Sequence, residues 1–110
     1  MATITAKKFF QVQLTNAFVT EYTAPAATTS IVKEIIVCNT GTVVRQLSIS
    51  AVPFGGAAGA ANAIFNNLDF APNETKQFTL STVLGAGDFI SAKASANTDL
   101  TVTCSGVEIT

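Results

Sequence analysis

Residues 43–52 read VVRQLSISAV, and this stretch carries the pattern that decides the fold. Leu47, Ile49 and Ala51 are separated by single polar residues, so their side chains would share one face of a β-strand. Pro53 then ends the run, because proline has no backbone N–H to donate to a sheet. The stretch therefore predicts a strand with one face in a core and one face outside it.

Similar runs occur along the whole chain, rich in Thr, Val, Ile and Phe and separated by Gly, Pro, Asn and Asp. They cover residues 9–15, 17–23, 30–39, 63–70, 74–80, 89–95 and 100–109, of which 63–70 is the weakest. Strands spaced by roughly 8–14 residues are typical of sandwiches and jelly rolls. The sequence therefore predicts an all-β fold, an antiparallel β-sandwich or jelly roll of seven to eight strands.

The most apolar run, 30–39, is predicted to be covered on both sides. Simple alternation places Ile31, Ile35 and Val37 on one face and Val32, Ile36 and Cys38 on the other. Residues 39–42 read NTGT and predict a hairpin turn, with Gly41 free to adopt a positive φ.

The length of 110 residues suits one domain, which we place at residues 11–110, preceded by an N-terminal arm at residues 1–10. The arm could lie along a neighbouring subunit and add a strand to its sheet. Phe9 and Phe10 would anchor it, since adjacent side chains of a regular strand point to opposite faces and cannot both enter one core. The alternative, equally open, is that these residues form the first strand of the domain with a frayed end.

Residues 54–62 read FGGAAGAAN, which is too small-sided for a packed strand and too glycine-rich for a stable helix. We expect a loop that projects from one end of the sandwich and contacts a partner through Phe54, Gly55 and Gly56. A flexible linker between two strands is the alternative.

Charge is sparse and nearly balanced, with six basic and seven acidic residues and a mean hydropathy of +0.44. The scattered basic residues argue against a nucleic-acid partner, which needs a clustered basic face. So few charges leave apolar patches on a free monomer, and such patches mark interfaces, here with a homo-oligomer or another protein. Neither a signal peptide nor a membrane-length apolar run is apparent, so no membrane partner is expected.

The sequence offers few side chains suited to catalysis, and we expect no enzymatic activity, no cofactor and no metal. The chain has no His, the usual proton shuttle near neutral pH. Asp88 and Asp99 lie in turn sequences, where Asp commonly accepts hydrogen bonds from its own backbone. Cys38 and Cys104 are expected to be two buried, unreactive thiols, with a disulfide between strands as the alternative. A sugar-binding module is disfavoured because Trp is absent and Tyr22 is the single Tyr.

Six motifs follow one another in a characteristic order: YTAPAATT at 22–29, VCNT at 37–40, VP at 52–53 before the glycine-rich loop, APNET at 71–75, LGAGDFISA at 84–92 and VTCSGVE at 102–108. Over residues 17–110 this order resembles a family of small bacteriophage virion structural proteins, the capsid decoration (cement) proteins among them. The resemblance implies a β-sandwich that clamps neighbouring major capsid subunits, often as a trimer, on a capsid assembled in the bacterial cytoplasm. It implies no catalytic residues. A neck, tail or fibre component is the alternative.

Overall fold

The computed structural model describes residues 2–110 and contains eight β-strands, the upper end of the predicted range. A single turn of 3₁₀-helix, Ala60–Asn62, lies between the fourth and fifth strands. The strands are β1 (Ile4–Gln13), β2 (Val19–Thr23), β3 (Thr29–Asn39), β4 (Arg45–Val52), β5 (Ala63–Phe70), β6 (Thr75–Leu84), β7 (Phe89–Ala94) and β8 (Leu100–Ile109).

The strands form two antiparallel four-stranded sheets that pack face to face. The first sheet has the order β1-β8-β3-β6 and the second the order β2-β7-β4-β5. Each strand of the first half of the chain therefore pairs with one of the second half, 1 with 8, 2 with 7, 3 with 6 and 4 with 5. This nested pairing is a jelly roll, and it confirms the prediction of an all-β antiparallel sandwich.

The core between the sheets is built from the inward-facing aliphatic and aromatic residues of both sheets. In β4, Leu47 and Ile49 are fully buried and Ala51 packs against the same cluster, as the alternation predicts. The largest fully buried side chains are Phe70, Leu14, Ile35, Leu47, Ile49, Leu84, Ile90, Leu100, Val32, Val37, Val52 and Val102.

Two β-bulges in the first sheet change which residues face the core. The β1–β8 register shifts between Lys8 and Phe10, so that Phe9 is the extra residue. An extra residue reverses the alternation, and Phe9 and Phe10 are 8% and 9% exposed in the same core. The expectation that these two rings cannot share one core is therefore wrong.

The second bulge, between Val32 and Glu34, has the same effect in β3. Val32 joins Ile35 and Val37 in the core, while Ile31 is half-buried. The predicted grouping of Ile31 with Ile35 and Val37 is wrong, because the extra residue inverts the faces on either side of it.

Residues 4–10 form the first part of β1, which pairs with β8 from Ile4 to Gln13. β1 is an edge strand, so its outer side carries unpaired backbone groups of the kind that can add to a neighbouring sheet. Within residues 2–10, the segment predicted to be an arm is thus continuous with the domain. Met1, the first residue of that arm, lies outside the described residues.

The connection after β3 is a corner between sheets, which corrects the predicted hairpin at 39–42. β3 and β4 belong to different sheets, so no ladder joins them. Asn39 is fully buried, its Nδ2 donates to the carbonyl oxygens of Val43 and Phe70, and its Oδ1 accepts from the Gly41 N–H. The Asn39 side chain replaces the hydrogen bonds that a partner strand would supply.

Both cysteines carry free thiols in the structure. Cys104 is fully buried in the core, whereas Cys38 is only half-buried, next in β3 to the core residue Val37. The expectation that both thiols are buried therefore holds for Cys104 alone. Among residues 2–110, no helix is long and apolar enough to cross a membrane.

Candidate interaction surface

Three connections meet at one end of the sandwich, which we name the loop end. They are residues 24–28 after β2, residues 53–62 after β4 and residues 85–88 after β6. The Ala24 N–H donates to the Asp88 carbonyl oxygen at 2.9 Å, and the Gly87 N–H donates to the Ala24 carbonyl oxygen at 3.0 Å. Backbone hydrogen bonds therefore hold the first and third connections together.

Phe54 lies at the tip of a tight turn at the loop end. The Gly56 N–H donates to the Pro53 carbonyl oxygen at 2.8 Å, and Gly55 has a φ of 82°. A positive φ at the third residue of such a turn favours glycine, which explains the Phe-Gly-Gly sequence. Phe54 itself is 75% exposed, the most exposed large apolar residue among the described residues.

One side of the Phe54 ring rests on Gly87 of the neighbouring connection. A Cβ atom built on Gly87 would lie 2.4 Å from Cδ2 of Phe54, so the absence of a side chain makes room for the ring. Gly87 also has a φ of 86°, which further favours glycine. The ring is therefore supported from one side and open to solvent on the other.

Asp88 fastens the Phe54 turn to the rest of the loop end. Its Oδ2 accepts the Gly85 N–H at 2.9 Å, within its own turn, as predicted for an Asp in this sequence. Its Oδ1 accepts the Phe54 N–H, also at 2.9 Å. Hydrogen bonds to a carboxylate are stronger than neutral ones. One carboxylate thus fixes both its own turn and the exposed aromatic residue.

The remainder of the glycine-rich segment is folded back on itself. Asn62 Nδ2 donates to the Ala57 carbonyl oxygen at 2.9 Å, and Asn62 Oδ1 accepts the Gly59 N–H at 3.0 Å. These hydrogen bonds give the segment a defined conformation beyond the Phe54 turn.

The outer face of the first sheet carries a row of apolar residues near the loop end. In the strand registers, Ala6 lies opposite Val107, Val107 opposite Ile31 and Ile31 opposite Val83. Val83 is 61% exposed, and Ile4, two residues before Ala6 in β1, is 68% exposed. We name Ile4 and these four residues the outer row. An exposed apolar row on a sheet face is typical of a surface that another protein covers.

A polar network lies under the loop end and joins the two sheets. The Tyr22 hydroxyl, in β2, donates to Glu108 Oε2 at 2.5 Å and lies 2.7 Å from the Ser30 hydroxyl. Lys7 Nζ lies 3.3 Å from the same carboxylate. Burial, and then the Glu108 carboxylate, raise the pKa of Tyr22 to about 12. The Tyr22 hydrogen bond, with Lys7, lowers the pKa of Glu108.

The opposite end of the sandwich carries a second, smaller apolar spot. Val43 and Val44, beyond the Asn39 corner, are 46% and 55% exposed. Beside them, Arg45 Nε lies 2.5 Å from Asp99 Oδ2, so the second turn Asp is held in an ion pair. These valines lie between the buried Asn39 and the Arg45–Asp99 ion pair, and no supported aromatic ring stands among them. This end therefore offers less preorganised contact area.

The structure separates the five residues that the sequence singled out for partner contacts. Phe54, Gly55 and Gly56 are exposed at the loop end, whereas Phe9 and Phe10 fill the core of their own chain. No local sequence pattern marks Gly87 as the support of Phe54. The available signal was Gly85-Ala86-Gly87-Asp88, which shows a turn but not the loop that packs on it.

The site offers packing surfaces in place of clustered reactive groups. Across residues 2–110, no three His, Cys, Asp or Glu side chains are grouped so as to hold a metal ion. Asp88 and Asp99 lie in different connections, 85–88 and the one before β8, and each is engaged in the contacts described above.

The fold is similar to that of solved chains from infectious bursal disease virus. The chain matches a chain of the T13 viral particle with a TM-score of 0.55 and 9% identity, covering 98% of this chain and 30% of that one. It matches the Gx strain structure with a TM-score of 0.51 and 13% identity, covering 99% and 32%. The VP2 subviral particle gives a TM-score of 0.50 at 12% identity, covering 98% and 32%.

The chain spans about a third of the length of these viral chains. At such low identity, the likeness concerns the fold. No protein-family model and no curated protein matches the sequence.

Proposed function

We propose that this chain is a structural component of a virus particle, and more specifically a bacteriophage capsid cement protein that binds neighbouring major capsid subunits. The observation that carries the proposal is the loop end, where Phe54 is exposed and yet supported by Gly87 and Asp88. An aromatic side chain held in place before binding loses little conformational entropy on docking, and such residues dominate interface energies. Its partner would be an apolar pocket between coat subunits.

The fold supports the same proposal. Eight-stranded jelly rolls are frequent in viral capsid proteins, and the solved chains similar to this one include chains of an infectious bursal disease virus particle and of its VP2 subviral particle. A likeness of fold alone is compatible with several functions. The exposed apolar groups of the loop end favour, among these functions, one in which this chain packs against other subunits.

The outer row supplies a second contact surface on another side of the loop end. Ile4 and Val83 expose apolar atoms that water would solvate poorly if they remained uncovered. Two surfaces on one small domain allow it to bridge two coat subunits or two copies of itself, as in a trimer on the capsid surface. Repeated over a lattice, each contact can be modest and the combined effect large.

Copy number per particle tests the location. Quantitative mass spectrometry on purified virions should find copies in proportion to the coat subunits. A few copies per particle would favour the neck, tail or fibre alternative, and absence from virions would overturn the proposal.

Reconstitution tests the surface. Particles that lack the protein are incubated with the native chain, with Phe54→Ala and, as a matched control, with Val44→Ala, which removes an exposed apolar group at the opposite end. We expect Phe54→Ala to lower occupancy by about tenfold or more, the size of a hot-spot truncation above 1.4 kcal/mol. Equal occupancy for all three proteins would exclude the loop end as the contact.

A further inference from the structure

The outer face of the second sheet contains a polar cup that the proposed function does not use. Ser48 and Ser50 alternate in β4 with the core residues Leu47 and Ile49, so their side chains face away from the core. They are nevertheless only 4% and 1% exposed. Something on the outer face must therefore cover them.

Two segments form the wall of the cup. The loop after β4 passes over Ser50, whose hydroxyl lies 3.4 Å from the Gly59 carbonyl oxygen. On the other side, the β4–β5 register shifts between Leu47 and Ile49, which pushes Asn66 and Asn67 out of the ladder. The cup is open to solvent on one side and has a volume of about 190 Å³, and its side-chain lining includes Phe18, Ser48, Ser50, Asn66, Asn67 and Lys93.

The functional groups in the cup are those that recognise a small polar ligand. Ser48 Oγ accepts the Asn67 N–H at 3.1 Å and donates to Asn67 Oδ1 at 3.4 Å, which orients the Asn67 side chain. Lys93 Nζ lies 4.9 Å from the centroid of the Phe18 ring, and among residues 2–110 no carboxylate forms an ion pair with it. A pocket with an apolar ring and a few convergent polar groups, one of them charged, is the usual composition of a ligand site.

We propose that the cup binds a monosaccharide-sized carbohydrate bearing a carboxylate. The Phe18 ring would pack against the C–H face of the sugar, and the exposed Asn66 and Asn67 amides would hydrogen-bond its hydroxyls. The Lys93 ammonium, now above the ring, would pair with the carboxylate. Phe18 thus takes the platform role for which the sequence offers no Trp. The inference is independent of the proposed virion role.

Amide NMR spectra of the isotope-labelled protein test the proposal. The probes are N-acetylneuraminic acid and glucuronic acid, with glucose and inorganic phosphate as comparisons. We expect saturable shifts at the cup amides with the two acidic sugars, and weaker binding of glucose. Lys93→Met should lower the affinity for the two acidic sugars by about tenfold, the effect of losing one charge-assisted hydrogen bond. Lys33→Met, on the first sheet, should leave that affinity unchanged.

Several results would overturn the assignment. These are the absence of saturable shifts at millimolar sugar, equal affinity for glucose, equal affinity in Lys93→Met, or the same shifts with phosphate alone. Phe18→Leu, which removes the aromatic ring from the cup without changing charge, provides a second variant should Lys93→Met fold poorly, and unchanged sugar affinity in it would overturn the assignment as well. Because the readout needs no virions, its failure is distinguishable from a failure of the capsid proposal.

Discussion

The Phe54 ring rests directly on the backbone of Gly87, with only 2.4 Å between its Cδ2 atom and the place where a Cβ would stand. The two residues belong to different connections, the one after β4 and the one after β6. Their contact converts an exposed apolar residue in a glycine-rich loop into a supported one. The loop end can therefore hold the Phe54 ring at its surface in a fixed position.

Gly87→Ala should disturb this contact. The new methyl group would displace the ring and would sit at a φ of 86°, a conformation that costs about 1–3 kcal/mol for residues other than glycine. We expect urea unfolding to show a loss in that range. Gly59→Ala is the matched control, since Gly59 has an extended φ of 179° and nothing within 4 Å of its Cβ position. An equal loss in both variants would contradict the contact.

Asp88→Ala should loosen the loop end. The change removes a carboxylate that accepts two backbone N–H groups, and hydrogen bonds to charged groups contribute about 1.5–3 kcal/mol each. We expect a lower free energy of unfolding and faster hydrogen exchange at the Phe54 amide. Asp69→Ala, which removes an exposed carboxylate held by Gln46, should leave both nearly unchanged. Unaltered exchange at Phe54 would show that Asp88 does not hold the turn.

Phe10→Ala and Ile4→Ser distinguish a strand from a detachable arm. Phe10 is buried in the core, so its truncation should cost about 3–5 kcal/mol. Ile4 is 68% exposed, and its substitution should change stability by no more than about 0.5 kcal/mol. Chemical denaturation measures both. A small effect at Phe10 would mean that residues 4–10 detach easily from the domain.

Tyr22→Phe should alter how stability depends on pH. The pKa of Tyr22 is raised from 10.0 to about 12, so the folded state favours the protonated phenol. Its contribution is complete below pH 10 and is lost as the pH rises from 10 towards 12. The phenyl group of the variant cannot ionise, so the free energy of unfolding of Tyr22→Phe should be lower than that of the native chain by about 1–2 kcal/mol near neutral pH. This difference in free energy should become smaller as the pH rises from 10 towards 12.

Glu108 produces the opposite dependence on the acid side. Its pKa is lowered from 4.5, so its contribution is present above that pH and is lost as the pH falls through the lowered value. The difference between the native chain and Tyr22→Phe should therefore narrow in acid as well. A constant difference across the whole pH range, measured by denaturation at each pH, would contradict the Tyr22–Glu108 contact.

The two thiols should react at different rates. Cys104 is fully buried, and burial raises its pKa to about 12, so almost no thiolate forms near neutral pH. Cys38 is half-buried and should be alkylated first by iodoacetamide, with Cys38→Ser abolishing the labelling of the folded protein. Mass spectrometry after a timed reaction measures both sites. Equal labelling of both thiols in the native chain would contradict the burial of Cys104.

The sequence by itself determined the fold class and most of the strands. Alternation is a local property, and it placed β5 and β8 at their observed bounds and Leu47, Ile49 and Ala51 in the core. The exposure of Phe54 could also be predicted, because a large apolar residue beside glycines between two strands has no core to enter. The pairwise strand order, which makes this sandwich a jelly roll, could not be predicted, since it depends on contacts between distant segments.

Tertiary structure decided the points at which alternation failed. The bulges at Phe9 and Lys33 lie on either side of Ser105 in β8, the first opposite the step from Cys104 to Ser105 and the second opposite the step from Ser105 to Gly106, and no local pattern records that register. The bulge at Phe9 brought both Phe9 and Phe10 into the core, and the bulge at Lys33 brought Val32 onto the same face as Ile35 and Val37. In the same way, Gly87 and Phe54 are 33 positions apart in the sequence and meet only because two connections end side by side. Local side-chain chemistry sets which face of a strand is apolar, whereas register between strands sets which residues touch.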